Sequence, residues 1–264
     1  MNREKIKSTL LNALREAGSV LKSSLSKRQI IEKKSELSLV TVTDKEAEKI
    51  VLEMIRREFP DHAILSEESP ASGNSTSRWI IDPLDGTTNF AHTYPVASVS
   101  IAFEEKGEVL LGGVLDPFRD ELFFAERGKG ATLNNRPMRV SESPTLSDSL
   151  VATGFPYDRR KDPDQYLRVV KAFMMKVQGI RRTGSAALDL CFIACGRFDG
   201  FWELKLQPWD MAAASLMVEE AGGSLSDFSG GSLSIGGIQT LATNGFIHKE
   251  MLDVLKPFEN MCKE

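Results

Sequence analysis

Apolar residues recur at helical spacing near the start of the chain. Ile6, Leu10, Ala13, Leu14, Ala17 and Leu21 fall within residues 4–26 and predict an amphipathic helix lying on a core. "LVTVT" is short and β-branched, and predicts a strand. Asp44 or Thr43 then caps a helix that carries Ile50, Met54 and Ile55 and stops before Pro60. "HAILSEES" predicts a short apolar strand ending in acids. The polar run 69–77 predicts a mobile lid or a plain connector.

From 96 to 141 the pattern changes to strand-type alternation. "VASVSIAFEEKGEVLLGGVLDP" predicts two strands around the turn Glu105-Lys106-Gly107, and "ELFFAERGKGATLNNRPMRVS" extends them into an antiparallel meander. Helical patterns return in "DQYLRVVKAFMMKV", "SAALDLCFIACG" and "MAAASLMVEEAGG". Gly196 closes the second of these and Gly222-Gly223 the third. The third has few polar residues before Glu219, which predicts burial on most sides. "HKEMLDVLKPF" predicts a last short helix. No repeat or linker interrupts the 264 residues. Helices layered on sheets in one mixed α/β or α+β domain are expected, with halves near 1–140 and 141–264.

The hydrophobic share of 41% and charged share of 27% suit a globular chain with a real core. A net charge of −4 leaves no basic footprint, so direct nucleic-acid binding is not expected. No apolar run is long enough to span a membrane, and the N-terminus shows no signal-peptide pattern; a cytoplasmic location is expected. Cys191, Cys195 and Cys262 cannot all pair within one chain and read as small hydrophobes in a reduced compartment. His62, His92 and His248 are scattered without ligand spacing and read as surface residues.

Acids gather at the edges of three apolar elements. They are Glu67 and Glu68 in "ILSEES", Asp82 and Asp85 in "WIIDPLDGTT", and Asp210 in "QPWDMAAA". Singly, each could be a turn or cap residue. Together, a cluster of such carboxylates repels itself and needs cations. Hard oxygen ligands on short turns suit Mg²⁺. Pro83 restrains the chain between Asp82 and Asp85, so that both carboxylates can point to one side. Gly86 would let the backbone come close to a ligand. A helix starting at Thr87 or Thr88 would turn its free N–H groups toward an anion.

"LSEES", "WIIDPLDGTTNF" and "PWDMAAASLMVEEAGG" resemble, in order, the three motifs of the inositol monophosphatase family. The likeness runs over nearly the whole chain, through "LVTVTD", "GFPY" and "GSAALDLC". It implies an αβαβα sandwich, a homodimer, and lithium-sensitive, Mg²⁺-dependent hydrolysis of a small phosphorylated polyol or sugar such as inositol 1-phosphate. By position it implies one metal at Glu67, Asp82 and the Leu84 carbonyl, and a second at Asp82, Asp85 and Asp210. Glu67 would hold a third, weaker ion through water. Thr87, with Glu67 or Asp44, would position or activate the attacking water. The N–H groups of Gly86 and Thr87 would hold the phosphate. Asp85, the Gly184-Ser185-Ala186 turn and Glu203 would read the substrate's hydroxyls. Lys33 aligns with a family lysine near the metals, with Lys34 beside it as the other register. Water is the nucleophile in such chemistry, so no catalytic serine or cysteine is expected.

Two features depart from that pattern. In "ELKLQPW", Lys205 stands where some family members carry glycine, and Gln207 where some carry histidine. Lys205 reads as a solvated side chain, with a contact to an anionic group as the other reading. Arg159, Arg160 and Lys161, or Arg181 and Arg182, could form a second basic site for a bisphosphate. Among the activities the wider superfamily implies, fructose 1,6-bisphosphate, histidinol phosphate, NADP and nucleotide 3′-phosphate hydrolysis stay open beside inositol phosphate. So does a non-enzymatic role as an accessory factor in transcription or ribosomal RNA synthesis.

Overall fold

The computed structural model describes residues 2–27, 31–33 and 39–262. Helix α1 (Arg3–Ser24) leads to a small antiparallel pair, β1 (Ile31–Lys33) and β2 (Leu39–Thr41), and then to α2 (Val42–Glu58). All six predicted apolar positions of α1 are buried, at 1% exposure or less. Helix α2 begins earlier than its sequence suggests. Thr41, rather than Thr43 or Asp44, is the cap, and Asp44 is the third helical residue. The Asp44 carboxylate accepts the Thr41 N–H at 2.8 Å, and the Thr41 hydroxyl oxygen accepts the Asp44 N–H at 3.4 Å. This reciprocal capping box satisfies two otherwise free donors.

A seven-stranded sheet follows. It comprises β3 (Ala63–Ser66), β4 (Ser77–Asp85), then, after the short helix α3 (Thr87–Ala91), β5 (Ser98–Glu105), β6 (Glu108–Asp116), β7 (Glu121–Glu126), β8 (Gly130–Leu133) and β9 (Arg136–Pro137). The strands are ordered as they occur in the chain. Only β3 and β4 run parallel; the rest form the predicted meander. Run 69–77 is tied to the sheet edge, because Ser72 and Ile64 exchange backbone hydrogen bonds of 2.8 and 2.9 Å. This tie fits the plain-connector reading of the run.

The second half brings β10 (Leu150–Thr153), α4 (Pro163–Met174), β11 (Gly179–Arg181), α5 (Ala186–Ala194), β12 (Gly200–Leu204), α6 (Pro208–Glu220), β13 (Ser224–Ser226), β14 (Gln239–Thr243) and α7 (His248–Leu255). Its five strands form a mixed sheet in the order β11-β10-β12-β14-β13. Gly196 and Gly222 follow α5 and α6 with φ of +76° and +91°, as helix-closing glycines should.

The elements stack in five layers, αβαβα. Helices α1 and α2 cover one face of the large sheet and bury Trp79, Ile81 and Phe103. Helices α5 and α6 fill the space between the sheets, against Val114 and Phe123 on one side and Phe201 and Ala242 on the other. Covered on both sides, they are apolar over most of their surface, with few polar residues between their ends. Close approach needs Gly112, where an added Cβ would lie 2.5 Å from the Ala213 carbonyl oxygen. Helices α4 and α7 close the outer face over Trp202 and Leu241.

Two histidines are not the surface residues their spacing suggests. His62 is half-buried, stacked on Phe59, and accepts the Trp79 indole N–H at Nδ1 over 3.1 Å. His248 is half-buried between the hydroxyls of Thr243 and Ser226. Burial holds both below the usual imidazole pKa. His92 is exposed. The three cysteines are free, Cys191 buried and the others partly so. No helix among the described residues is long and apolar enough to cross a membrane.

Candidate active site

Strand β4 carries Asp82 and Asp85 inside the strand, not in a turn after it. Residues three apart in a regular strand face opposite sides. The register of β4 on β5 shifts between these two residues, a bulge at Pro83-Leu84. The bulge lets both aspartates line the same cavity.

That cavity holds about 230 Å³ and is lined by Glu67, Asp82, Leu84, Asp85, Gly86, Thr87, Tyr157, Gln207, Trp209 and Asp210. Three chain segments bring the acids. Glu67 follows β3 and donates its N–H to the Ile81 carbonyl of β4 at 3.2 Å. Asp82 and Asp85 come from β4. Asp210 sits in the first turn of α6, where its carboxylate accepts the Gln207 N–H at 2.7 Å. No lysine, arginine or histidine lines this cavity among the described residues.

Electrostatics follow from that placement. Burial, then repulsion from Glu67 and Asp85, pushes the Asp82 carboxyl well above its usual range. Burial and the Asp85 charge do the same to Asp210. Asp85 rises only to about 6, because the Ser185 hydroxyl and the Ala187 N–H donate to its carboxylate at 2.5 and 2.8 Å. A cluster of acids that resists ionisation in this way is one that a cation would neutralise. The acids do not form a closed cage: among the described residues no three His, Cys, Asp or Glu side chains make a ready metal-holding group. An open, all-oxygen wall fits a hard cation that keeps waters and substrate oxygens in its shell.

Asp44 does not line the cavity but stands behind it. Its carboxylate is fully buried, and it accepts the Thr87 hydroxyl at 3.2 Å and the Thr41 hydroxyl at 2.5 Å. Burial raises its pKa, with Thr41 working against the rise. The Thr87 hydroxyl also lies 3.0 Å from the Leu84 carbonyl oxygen. Helix α3 begins at Thr87, as expected, with Gly86 as its cap at φ +93°. The need for glycine at 86 comes from the protein itself. A Cβ there would lie 2.8 Å from the Val96 carbonyl oxygen.

A second cavity of about 310 Å³ opens beside the first and shares Asp85, Gly86, Thr87, Tyr157, Gln207 and Asp210 with it. Gly184, Ser185, Ala186 and Glu203 line it, together with Asp189, Arg159, Arg182 and Lys205. Burial and the nearby Asp189 push Glu203 up to about 8, with Arg182 opposing. The Asn89 amide fixes the second cavity to the first by donating to the Val96 and Thr183 carbonyls at 2.8 and 2.9 Å.

Lys205 is not merely solvated. Its ammonium pairs with Asp158 at 2.7 Å, and its backbone holds a left-handed φ of +62°. Of the basic residues, Arg159 and Arg182 face the second cavity, whereas Arg160, Lys161 and Arg181 do not line it. The Lys33 side chain and the whole of Lys34 lie outside the described residues. Tyr157, Trp209 and Asp189 line the site, and Asn89 braces the chain beside it, without being singled out by sequence. Trp209 adjoins Asp210 and Tyr157 ends "GFPY", so proximity to motifs was their one signal.

The inositol monophosphatase family model matches residues 2–257. The inositol-1-monophosphatase of Synechocystis sp. is 49% identical over 86% of this chain and 80% of its own length. The Nus factor SuhB of Pseudomonas aeruginosa is 42% identical, with 94% of each chain covered. Among solved structures, the extragenic suppressor protein SuhB of Bartonella henselae superposes with a TM-score of 0.91 at 41% identity, over 95% of this chain and 98% of that one. The inositol monophosphatase of Anabaena (Nostoc) sp. gives 0.88 at 43% identity over 97% of each.

Proposed function

Since the chain belongs to the inositol monophosphatase family and is therefore a phosphatase, we propose that it hydrolyses inositol 1-phosphate with Mg²⁺ as the metal. The observation that carries this reading is the shared cavity wall of Glu67, Asp82, Asp85 and Asp210, with no basic side chain among the described residues to balance it. Glu67, Asp82 and the Leu84 carbonyl would hold one ion, Asp82, Asp85 and Asp210 a second, and Glu67 a weaker third through water. Bound there, the ions would neutralise the acids, acidify a water and stabilise the leaving alkoxide.

The protein's own groups do the positioning. The Thr87 hydroxyl can give its hydrogen to Asp44 or to the Leu84 carbonyl. Its lone pairs are then left to accept an O–H from water, which turns the water's own lone pair toward phosphorus. Glu67 or Asp44 serves as the carboxylate partner of Thr87 in this step. First-turn N–H groups at Gly86 and Thr87 bind phosphate oxygens. Asp85, Gly184, Ser185, Ala186 and Glu203 accept and donate to substrate hydroxyls in the second cavity. Raised toward 8, Glu203 would stay protonated at neutral pH and could donate as well as accept.

Phosphate release should be measured with inositol 1-phosphate, fructose 1,6-bisphosphate, histidinol phosphate, NADP and a nucleotide 3′-phosphate, each with and without Mg²⁺ and lithium. Inositol 1-phosphate ranking among the poorest would overturn the substrate. We further propose a homodimer located in the cytoplasm, testable by light scattering and fractionation. Relatives named Nus factor SuhB favour a second reading, an accessory role in a transcription complex. An Asp85→Asn variant that still co-purifies with RNA polymerase would separate that role from catalysis.

A further inference from the structure

Helix α2 presents two buried acids one turn apart, Asp44 at 0% and Glu48 at 5% exposure. Asp44 reaches Thr87. Glu48 reaches a different part of the site. Its Oε1 accepts the Ser66 hydroxyl at 2.5 Å and the Glu68 N–H at 3.2 Å. Its Oε2 accepts the Ser69 hydroxyl at 2.6 Å. These three donors belong to the residues immediately before and after Glu67 and to the one beyond. A buried carboxylate with three charge-assisted hydrogen bonds is a satisfied one, and it gives those donors little freedom.

Glu67 needs such a hold. It sits where β3 ends, and one side of its backbone is fixed by the bond to the Ile81 carbonyl. Its carboxylate shares a cavity with three other acids that it repels. A turn free to swing would carry that carboxylate out toward water. We propose that Glu48 is a positioning residue that clamps the Ser66–Ser69 turn and so keeps Glu67 aimed into the metal cavity. Glu48 itself touches neither cavity. This inference rests on Glu67 being a metal ligand, as proposed above.

The geometry also says which substitution should spare the site. In Glu48→Gln the amide oxygen can still accept from Ser66 and Glu68, and the amide nitrogen can donate to the Ser69 oxygen. In Glu48→Ala all three donors lose their acceptor.

The test is the Mg²⁺ concentration that gives half-maximal phosphate release from inositol 1-phosphate, measured beside kcat and metal-free Tm. Glu48→Ala should raise the half-activating Mg²⁺ concentration about tenfold and lower kcat. Glu48→Gln should restore both to within about threefold. A merely structural role would lower Tm in Glu48→Ala and leave the Mg²⁺ requirement in place, which would overturn the proposal. Should Glu48→Ala fail to fold, Ser69→Ala removes one of the clamped donors and must still raise the requirement; a wild-type value there overturns the proposal too. Glu67→Gln separates the two claims. If it leaves the Mg²⁺ requirement unchanged, the metal role of Glu67 falls and this inference with it. If it raises the requirement while Glu48→Ala does not, the positioning role alone is wrong.

Discussion

The Asp85 carboxylate accepts the Ser185 hydroxyl at 2.5 Å, between residues 100 positions apart in the chain. The same carboxylate oxygen takes the Ala187 N–H in the first turn of α5. Asp85 thus joins the large sheet to the start of α5 in the central helical layer. Asp85→Asn would keep the shape and remove the charge a metal needs. We expect kcat to fall by about 100-fold or more with little change in far-UV circular dichroism. Near-wild-type turnover in the purified variant would count against the metal assignment.

Asp210 should show the opposite signs in stability and activity. Its carboxylate is one of several mutually repelling buried acids, and it also caps α6 through Gln207. Asparagine retains the cap and removes the charge. Asp210→Asn should raise the metal-free melting temperature by a few degrees, about 1–2 kcal/mol, while abolishing most activity. Added Mg²⁺ should stabilise the wild type more than the variant. Differential scanning fluorimetry with and without Mg²⁺ reads both effects.

His248 gives a pH dependence away from the acids. Burial lowers its folded pKa below the ordinary 6.5. The unfolded chain therefore binds the proton more readily. The stabilising effect of neutral His248 is fully present above pH 6.5 and is lost as pH falls through the folded pKa. Urea denaturation of wild type and His248→Gln at pH 7.5 and 5 should show a gap that narrows on acidification. A gap that widens would reverse the argument.

Lys205 offers a test of strain against charge. An L-residue at φ +62° carries a cost of about 1 kcal/mol that glycine would relieve. The partly exposed Asp158 pair gives back no more than about 1 kcal/mol. Lys205→Gly should therefore melt within a few degrees of the wild type. Asp158 adjoins Tyr157, which lines both cavities, so loosening that segment should raise KM more than it lowers kcat. Steady-state kinetics on inositol 1-phosphate would show an unchanged KM if the ion pair does nothing for the site.

Much of this architecture is legible in the sequence. The apolar stripe of α1 and the meander follow from periodicity, because each shows one predictable buried face, and the scarcity of polar residues along α5 and α6 marks helices covered on both sides. The acids of the site are legible because carboxylates at the edges of apolar runs have no cheap alternative explanation once grouped. What stays hidden depends on neighbours distant in the chain. The β4 bulge is a matter of register against β5, and periodicity within β4 cannot reveal it. His62 looks like a surface residue until Phe59 and Trp79 enclose it. Lys205 looks solvated until the loop bearing Asp158 folds over it. Glu48 had one visible signal, an acid set among Ala47, Val51 and Ile55 on a buried helical face.

The amide of Asn89 bonds at once to Val96 in the large sheet's half and to Thr183 in the other. That stitch, with Asp85 on one side and Asp210 on the other, means that neither half owns a complete set of acids. A chain severed between the two sheets should be silent as either fragment and should regain turnover only on reassembly. The active site could therefore serve as a split-enzyme reporter, its signal arising solely from the seam.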